Sequence, residues 1–223
     1  MFRVVTLERE YGAGGGVVAR RLAERLGWRL YDQQLTAEIA RRADVHPEAV
    51  RRCDEHCDPL FYRLAKVFWR GSYERTMPWP HDRAFDTDTL VRLSHQVIED
   101  VAREGNCVIV GRGSPYILRD RADVFSVFLF APLEEKIARI AHQQNISEQK
   151  AQELVEGIDA ERVTFIKHYF NMQWPTRWLY DLMVNTAPGT EAAAEVILGA
   201  MRIRAEAAAS GNSETAPRLV KRS

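Results

Sequence analysis

Four of the five residues from 12 to 16 are glycine: Gly12, Gly14, Gly15 and Gly16. They follow a short β-branched run, Val4-Val5-Thr6-Leu7, and precede a stripe of Val18, Leu22 and Leu26 at four-residue spacing. Strand, glycine turn and helix together aim backbone N–H groups and the positive end of a helix at an anion. Glu10, Tyr11, Gly12, Ala13, Gly14, Gly15, Gly16 and Val17 are therefore read as a phosphate-binding loop. The usual triphosphate-binding loop closes on a lysine followed by Ser or Thr. This one has neither, and the alternative is a tight turn whose glycines serve only close packing.

Other residues suited to phosphate chemistry stand far along the chain. Gly111-Arg112-Gly113 ends a continuous apolar run, Cys107 to Val110; flanking glycines let backbone approach a ligand while Arg grips phosphate or carboxylate. Asp32 closes a brief strand-like segment, where it serves either as a ligand contact or as a helix N-cap. Asp159, Arg162, Lys167 and His168 share one helical stretch, and as an isolated helix they would read as a solvated face. Cys53, Cys57, His46 and His56 lack the spacing of a zinc site, so no metal centre is expected there.

Composition narrows the classes. Basic and acidic residues number 31 each, which excludes a global nucleic-acid binder. No segment approaches the ~18 apolar residues of a membrane span, and Glu8, Arg9 and Glu10 interrupt any leader-like run. Three cysteines, an odd number, point to a reducing compartment and a cytoplasmic protein.

The elements that must position these residues alternate. Strands are expected at 4–7, 28–32, 107–110, 124–130 and 178–184. Helices are expected at 17–26, throughout 34–69, at 89–104, from Pro132, from Ser147 to about Tyr169, and over 190–209. Residues 70–88, with Trp79 and Phe85, form a non-periodic loop, and 210–223 a disordered tail. Alternating strands and helices predict an α/β fold with a parallel sheet covered on both faces. Right-handed crossovers then gather the glycine loop, Asp32, Gly111-Arg112-Gly113 and Asn185-Thr186 at one edge.

With those residues in view, LEREYGAGGGVVARRLAERLG followed by YDQQL resembles the opening of the cytidylate kinase-like proteins. VIVGRGSPYILRDRADVFSVFLFAPLEEKIARI and IDAERVTFIKHYF also resemble that family, so the likeness runs from residue 2 to about 201. The resemblance implies a P-loop kinase-like three-layer fold: one domain over 1–209 with a five-stranded parallel sheet. Within it the resemblance implies a monophosphate-binding insert at about 33–88 and a helical lid at about 139–170. It implies ATP and Mg2+ as cofactors, nucleotides as partners, and transfer of a phosphoryl group to a nucleoside monophosphate. By the same resemblance Asp32, Arg112, Asp159 and Lys167 serve the acceptor, Arg139 and Thr186 serve ATP, and Arg162, Arg112 and Arg9 serve catalysis.

Gly15 stands where true cytidylate kinases carry the loop lysine, Gly16-Val17 replace residues that help hold Mg2+, and Val110 replaces an acidic residue. Arg9 is the expected substitute for the lysine, with Glu8 organising the metal. The competing readings are a non-catalytic nucleotide-binding regulatory module and a scaffold working through the 70–88 loop or the basic tail.

Overall fold

A computed structural model describes residues 1–32, Leu35, Glu38 and 87–210. Five strands form one sheet: β1 (Val4–Arg9), β2 (Arg29–Tyr31), β3 (Cys107–Val110), β4 (Val124–Phe130) and β5 (Leu182–Asn185). Their spatial order is β2-β3-β1-β4-β5, and every pairing is parallel. β1 is central and buried along its whole length, as its β-branched composition demands. It pairs Val4 with Cys107 on one side and with Val124 on the other.

Side chains of β1 alternate between two core layers. Val5 and Leu7 face α1 (Gly15–Leu26) and α6 (Thr190–Ala209), packing with Val18, Leu22 and Ile197. Val4 faces the opposite layer, built from α2 (Thr87–Glu104), the short α3 (Ser114–Ile117) and α5 (Glu148–Phe170). There Ile98, Tyr116 and Phe165 fill the space. On that same face Thr6 Oγ1 donates to Ser126 Oγ at 3.0 Å.

The remaining helix, α4 (Leu133–Gln144), forms an antiparallel hairpin with α5 around a third, smaller cluster of Ile140, Ala151, Val155 and Ile158. Asn145 turns left-handed at φ 54° to end α4, and Ser147 caps α5 by accepting from the Lys150 N–H. The fifth buried member of this cluster, Tyr11 of the glycine loop, comes from outside the hairpin.

Several expected boundaries move, among them the helix expected from 89, which begins at Thr87 inside the expected 70–88 loop. The fifth strand begins at Leu182 rather than Trp178, because Arg177–Leu179 forms a 3-10 turn that leaves Trp178 exposed and sends Tyr180 into the core. The Asp181 carboxylate accepts from Ser126 N at 2.7 Å, and strand pairing with β4 starts at the next residue, Leu182↔Val127. Pro132 is the N-cap of α4 rather than its first residue. The expected helices of 34–69 apart from Leu35 and Glu38, with His46, Cys53, His56 and Cys57, the 70–86 stretch and the tail after Ser210 lie outside the described residues. No helix among the described residues is long and apolar enough to cross a membrane.

Candidate active site

β1 is where strand order reverses, with β3 on one side and β4 on the other. In open parallel sheets such a reversal leaves a crevice at the carboxyl edge. The loop after β1 enters it. Gly12 and Gly14 take φ of 82° and 72°, conformations that a side chain resists, and Gly14 is the N-cap of α1. Val17 and Val18 N–H both turn back to the Gly14 carbonyl. The N–H groups of Gly14, Gly15 and Gly16 make no hydrogen bond among the described residues. A helix of 12 residues thus begins with donors aimed into the crevice.

Gly12, Gly14 and Gly15 are each hemmed in by a different neighbour. A Cβ on Gly12 would stand 2.9 Å from both Cβ and the carbonyl oxygen of Lys136, and one on Gly14 2.7 Å from Thr190 Cγ2. A Cβ on Gly15 would stand 2.8 Å from Cγ of Arg9. Arg9 ends β1 on the α1 side, so its stem runs beneath the first turn of α1. Its guanidinium reaches the turn after β3, where a Cβ on Gly111 would lie 2.2 Å from Nη1. The arginine fills the volume that side chains at either position would need.

That turn after β3 is itself unusual. Gly111, Arg112 and Gly113 all have positive φ, of 67°, 59° and 69°. Glycine adopts this freely; for arginine it costs roughly 1–2 kcal/mol. Arg112 is nonetheless buried, 7% exposed. Burial depresses its pKa to about 10, the nearby Asp32 carboxylate opposes that shift, and Arg9 adds to it. Burial likewise lowers Arg9, with the charge of Arg162 acting in the same direction. Asp32 is buried between the two.

The charged stretch of α5 closes the ring. Arg162 Nη1 donates to the Arg9 carbonyl at 2.8 Å and to Asp159 Oδ1 at 3.0 Å. Its guanidinium also lies 6.0 Å from the rings of Tyr11 and Trp174. Asp159 Oδ1 accepts from the Tyr11 N–H at 2.8 Å, while Lys136 Nζ approaches Oδ2 at 3.3 Å and Glu10 Oε2 at 2.9 Å. Gln144 donates to the Tyr11 hydroxyl at 2.7 Å. Arg139 ties the loop to the end of β5: Nη1 donates to Thr186 Oγ1 at 2.9 Å, Nη2 to the Thr186 carbonyl at 2.7 Å, and Nη1 reaches the Gly12 carbonyl at 3.4 Å.

Arg9, Arg112, Arg139, Arg162, Asp32, Asp159, Thr186 and residues 10–17 therefore meet at one sheet edge. Lys167 does not join them; it is exposed, and its ammonium donates to Asn171 Oδ1 at 3.1 Å. Glu8 is buried beside Arg9, its Oε1 accepting from Arg9 N at 3.3 Å. Sequence reasoning passed over Lys136 and Gln144. The available signal for Lys136 was a lysine one turn into the helix after β4, at the same carboxyl edge.

The family model described as the cytidylate kinase-like family matches residues 4–188. The chain belongs to that family. A cytidylate kinase of Ignicoccus hospitalis is 29% identical over 196 residues, covering 87% of this chain and 96% of that protein. A cytidylate kinase of Haloquadratum walsbyi is 30% identical over 114 residues, 50% of this chain and 59% of its own length. A solved structure of an uncharacterized protein from Eubacterium ventriosum superposes with TM-score 0.64 at 20% identity, over 88% of this chain and 96% of that one. Shikimate kinase from Acinetobacter baumannii superposes with TM-score 0.52 at 15% identity, over 92% and 95%. These likenesses carry the α/β P-loop kinase fold, and the cytidylate kinase-like sequence family sits within it.

Proposed function

We propose that the protein transfers the terminal phosphoryl group of ATP to a nucleoside monophosphate, with CMP the first acceptor to test. The observation that carries this reading is the meeting of undonated amides at Gly14–Gly16 with buried Arg9, Arg112 and Arg162 at one sheet edge. Phosphoryl transfer needs positioning and dispersal of negative charge more than covalent help from the protein, and amides plus planar cations supply both. The two relatives that carry the name cytidylate kinase support the acceptor class.

In this reading the loop amides hold the ATP phosphates, and Arg139 fixes the loop against Thr186 and the β5 end, beside which the adenine lies. Arg112 and Asp32 take the acceptor. Asp159 orients Arg162 toward the transferring group, with Arg9 beneath the loop. Mg2+ would be held mainly by nucleotide phosphates with one or two carboxylates; Glu8 and Asp32 are candidates for that role beside Glu10 and Asp159, and no group of three metal-ligating side chains occurs among the described residues. The metal supplies charge neutralisation on the phosphates. The chain's own residues supply orientation, and the α4–α5 hairpin excludes water.

The test is a panel of nucleoside monophosphates with Mg2+ and ATP, read as diphosphate formed. Diphosphate with at least one acceptor, and a fall of ~10³ or more in rate for Arg162→Ala, are expected. Nucleotide-induced thermal stabilisation with no turnover on any acceptor would leave a binding module and overturn the kinase reading.

A further inference from the structure

The loop lacks its lysine, and the structure gives a reason why one is not placed at residue 15. A Cβ there would meet Cγ, Cδ and Cβ of Arg9 at 2.8, 3.2 and 3.3 Å. Among the cations around the loop, Arg139 spends both terminal nitrogens on Thr186, and Arg162 Nη1 is held by the Arg9 carbonyl and Asp159. Arg9 runs past the loop to Gly111 and Glu8. Lys136 differs from all three. It is 8% exposed, its backbone and Cβ press on Gly12, and among the described residues its ammonium has only carboxylates as partners, Glu10 Oε2 at 2.9 Å and Asp159 Oδ2 at 3.3 Å. The same Asp159 holds the Tyr11 amide of the loop. A primary ammonium, the chemistry a triphosphate loop ordinarily draws from its lysine, is thus held one carboxylate away from the loop backbone.

We propose that Lys136 is the polyphosphate-contacting lysine of this site, delivered from α4 instead of from the loop and parked on Glu10 and Asp159 until a nucleotide's phosphates replace those carboxylates. The inference rests on the nucleotide-binding reading above. A four-carbon stem with a compact, rotatable head suits such a transfer better than a rigid guanidinium fork. Replacing one anionic partner by another leaves the buried ammonium paired throughout, so the exchange avoids the cost of an uncompensated buried charge.

The experiment measures affinities of the full chain for Mg2+–ATP and for inorganic tripolyphosphate by calorimetry, in wild type, Lys136→Met, Lys136→Arg and Glu10→Gln. Wild type binds both; Lys136→Met binds both at least tenfold more weakly, and Lys136→Arg recovers part of the loss. Glu10→Gln breaks the same ion pair but frees the ammonium, so it binds tripolyphosphate more tightly than wild type. A purely structural ion pair predicts the opposite for Glu10→Gln, weaker binding alongside Lys136→Met, and that result overturns the proposal. Equal affinity in wild type and Lys136→Met overturns it alone and leaves the kinase reading standing. Failure of wild type to bind either probe overturns both. If Lys136→Met does not fold, Glu10→Gln and Lys136→Arg decide the matter by the same criteria.

Discussion

Arg112 stands in a backbone conformation that opposes its side chain, and it is buried as well. A residue kept there for stability alone would have been better served by glycine, as at Gly111 and Gly113 on either side. Arg112→Gly relieves roughly 1–2 kcal/mol of backbone strain and the cost of burying a cation, offsetting the contacts it loses. Its urea midpoint is expected to stay within about 1 kcal/mol of wild type, while acceptor binding by calorimetry falls at least tenfold. A large stability loss with binding unchanged would contradict the ligand role. A second residue-scale prediction concerns His95, whose ring stacks on Phe170 with centroids 5.6 Å apart and whose buried Nε2 has no hydrogen-bond partner among the described residues. Burial lowers its pKa below the ordinary 6.5, with Glu99 pulling weakly the other way. The unfolded chain then takes up the proton first as pH falls, so stability is complete above pH 6.5 and declines below it. Urea midpoints between pH 7.5 and 5 should show that slope, and His95→Phe should flatten it.

At the scale of the element, three glycines of the loop are packed by different elements: α4 against Gly12, α6 against Gly14, and the last residue of β1 against Gly15. The lysine of the ordinary triphosphate loop therefore does not fit as a simple addition. Gly15→Lys is expected to lower stability by about 1–3 kcal/mol, the cost of overpacking, and to bring no gain in ATP affinity. Adding Arg9→Ala should restore much of the stability, since it vacates the contested space. Additive losses in the double variant, read from urea midpoints, would show that the two positions do not compete.

For the whole molecule, the C-terminal half of α5 packs into the main core through Phe165 and Ile166, while Tyr11 links the α4–α5 hairpin's own cluster to the glycine loop. The ring enters the hairpin's own cluster, the hydroxyl accepts from Gln144, and the amide donates to Asp159. One loop residue thereby couples a helical unit to the phosphate-binding turn, the arrangement a closing lid requires. Tyr11→Ala should loosen the hairpin as a unit. Hydrogen exchange is expected to accelerate at least tenfold over 140–158 while β1, β3 and β4 keep their protection. Uniform acceleration across the sheet would mean that Tyr11 supports the entire core rather than the hairpin.

Periodicity and glycine placement alone determined the alternating elements, the parallel sheet and the carboxyl-edge meeting of residues 10–17 with Arg112, because β-branched runs and helical stripes are local signals. Cys107–Val110, Val124–Phe130 and Thr190–Ala209 were legible to the residue. The fifth strand was not, because Trp178-Leu179-Tyr180 is apolar for reasons of turn and core packing, and the Asp181 clasp on Ser126 sets where pairing begins. Tertiary structure alone decided that Lys136 faces the loop, that Lys167 does not, and that Arg9 occupies the space denied to residue 15. The approach of Lys136 to Glu10 depends on which helix face meets which strand end across more than a hundred residues of chain, and no local pattern encodes such a distance.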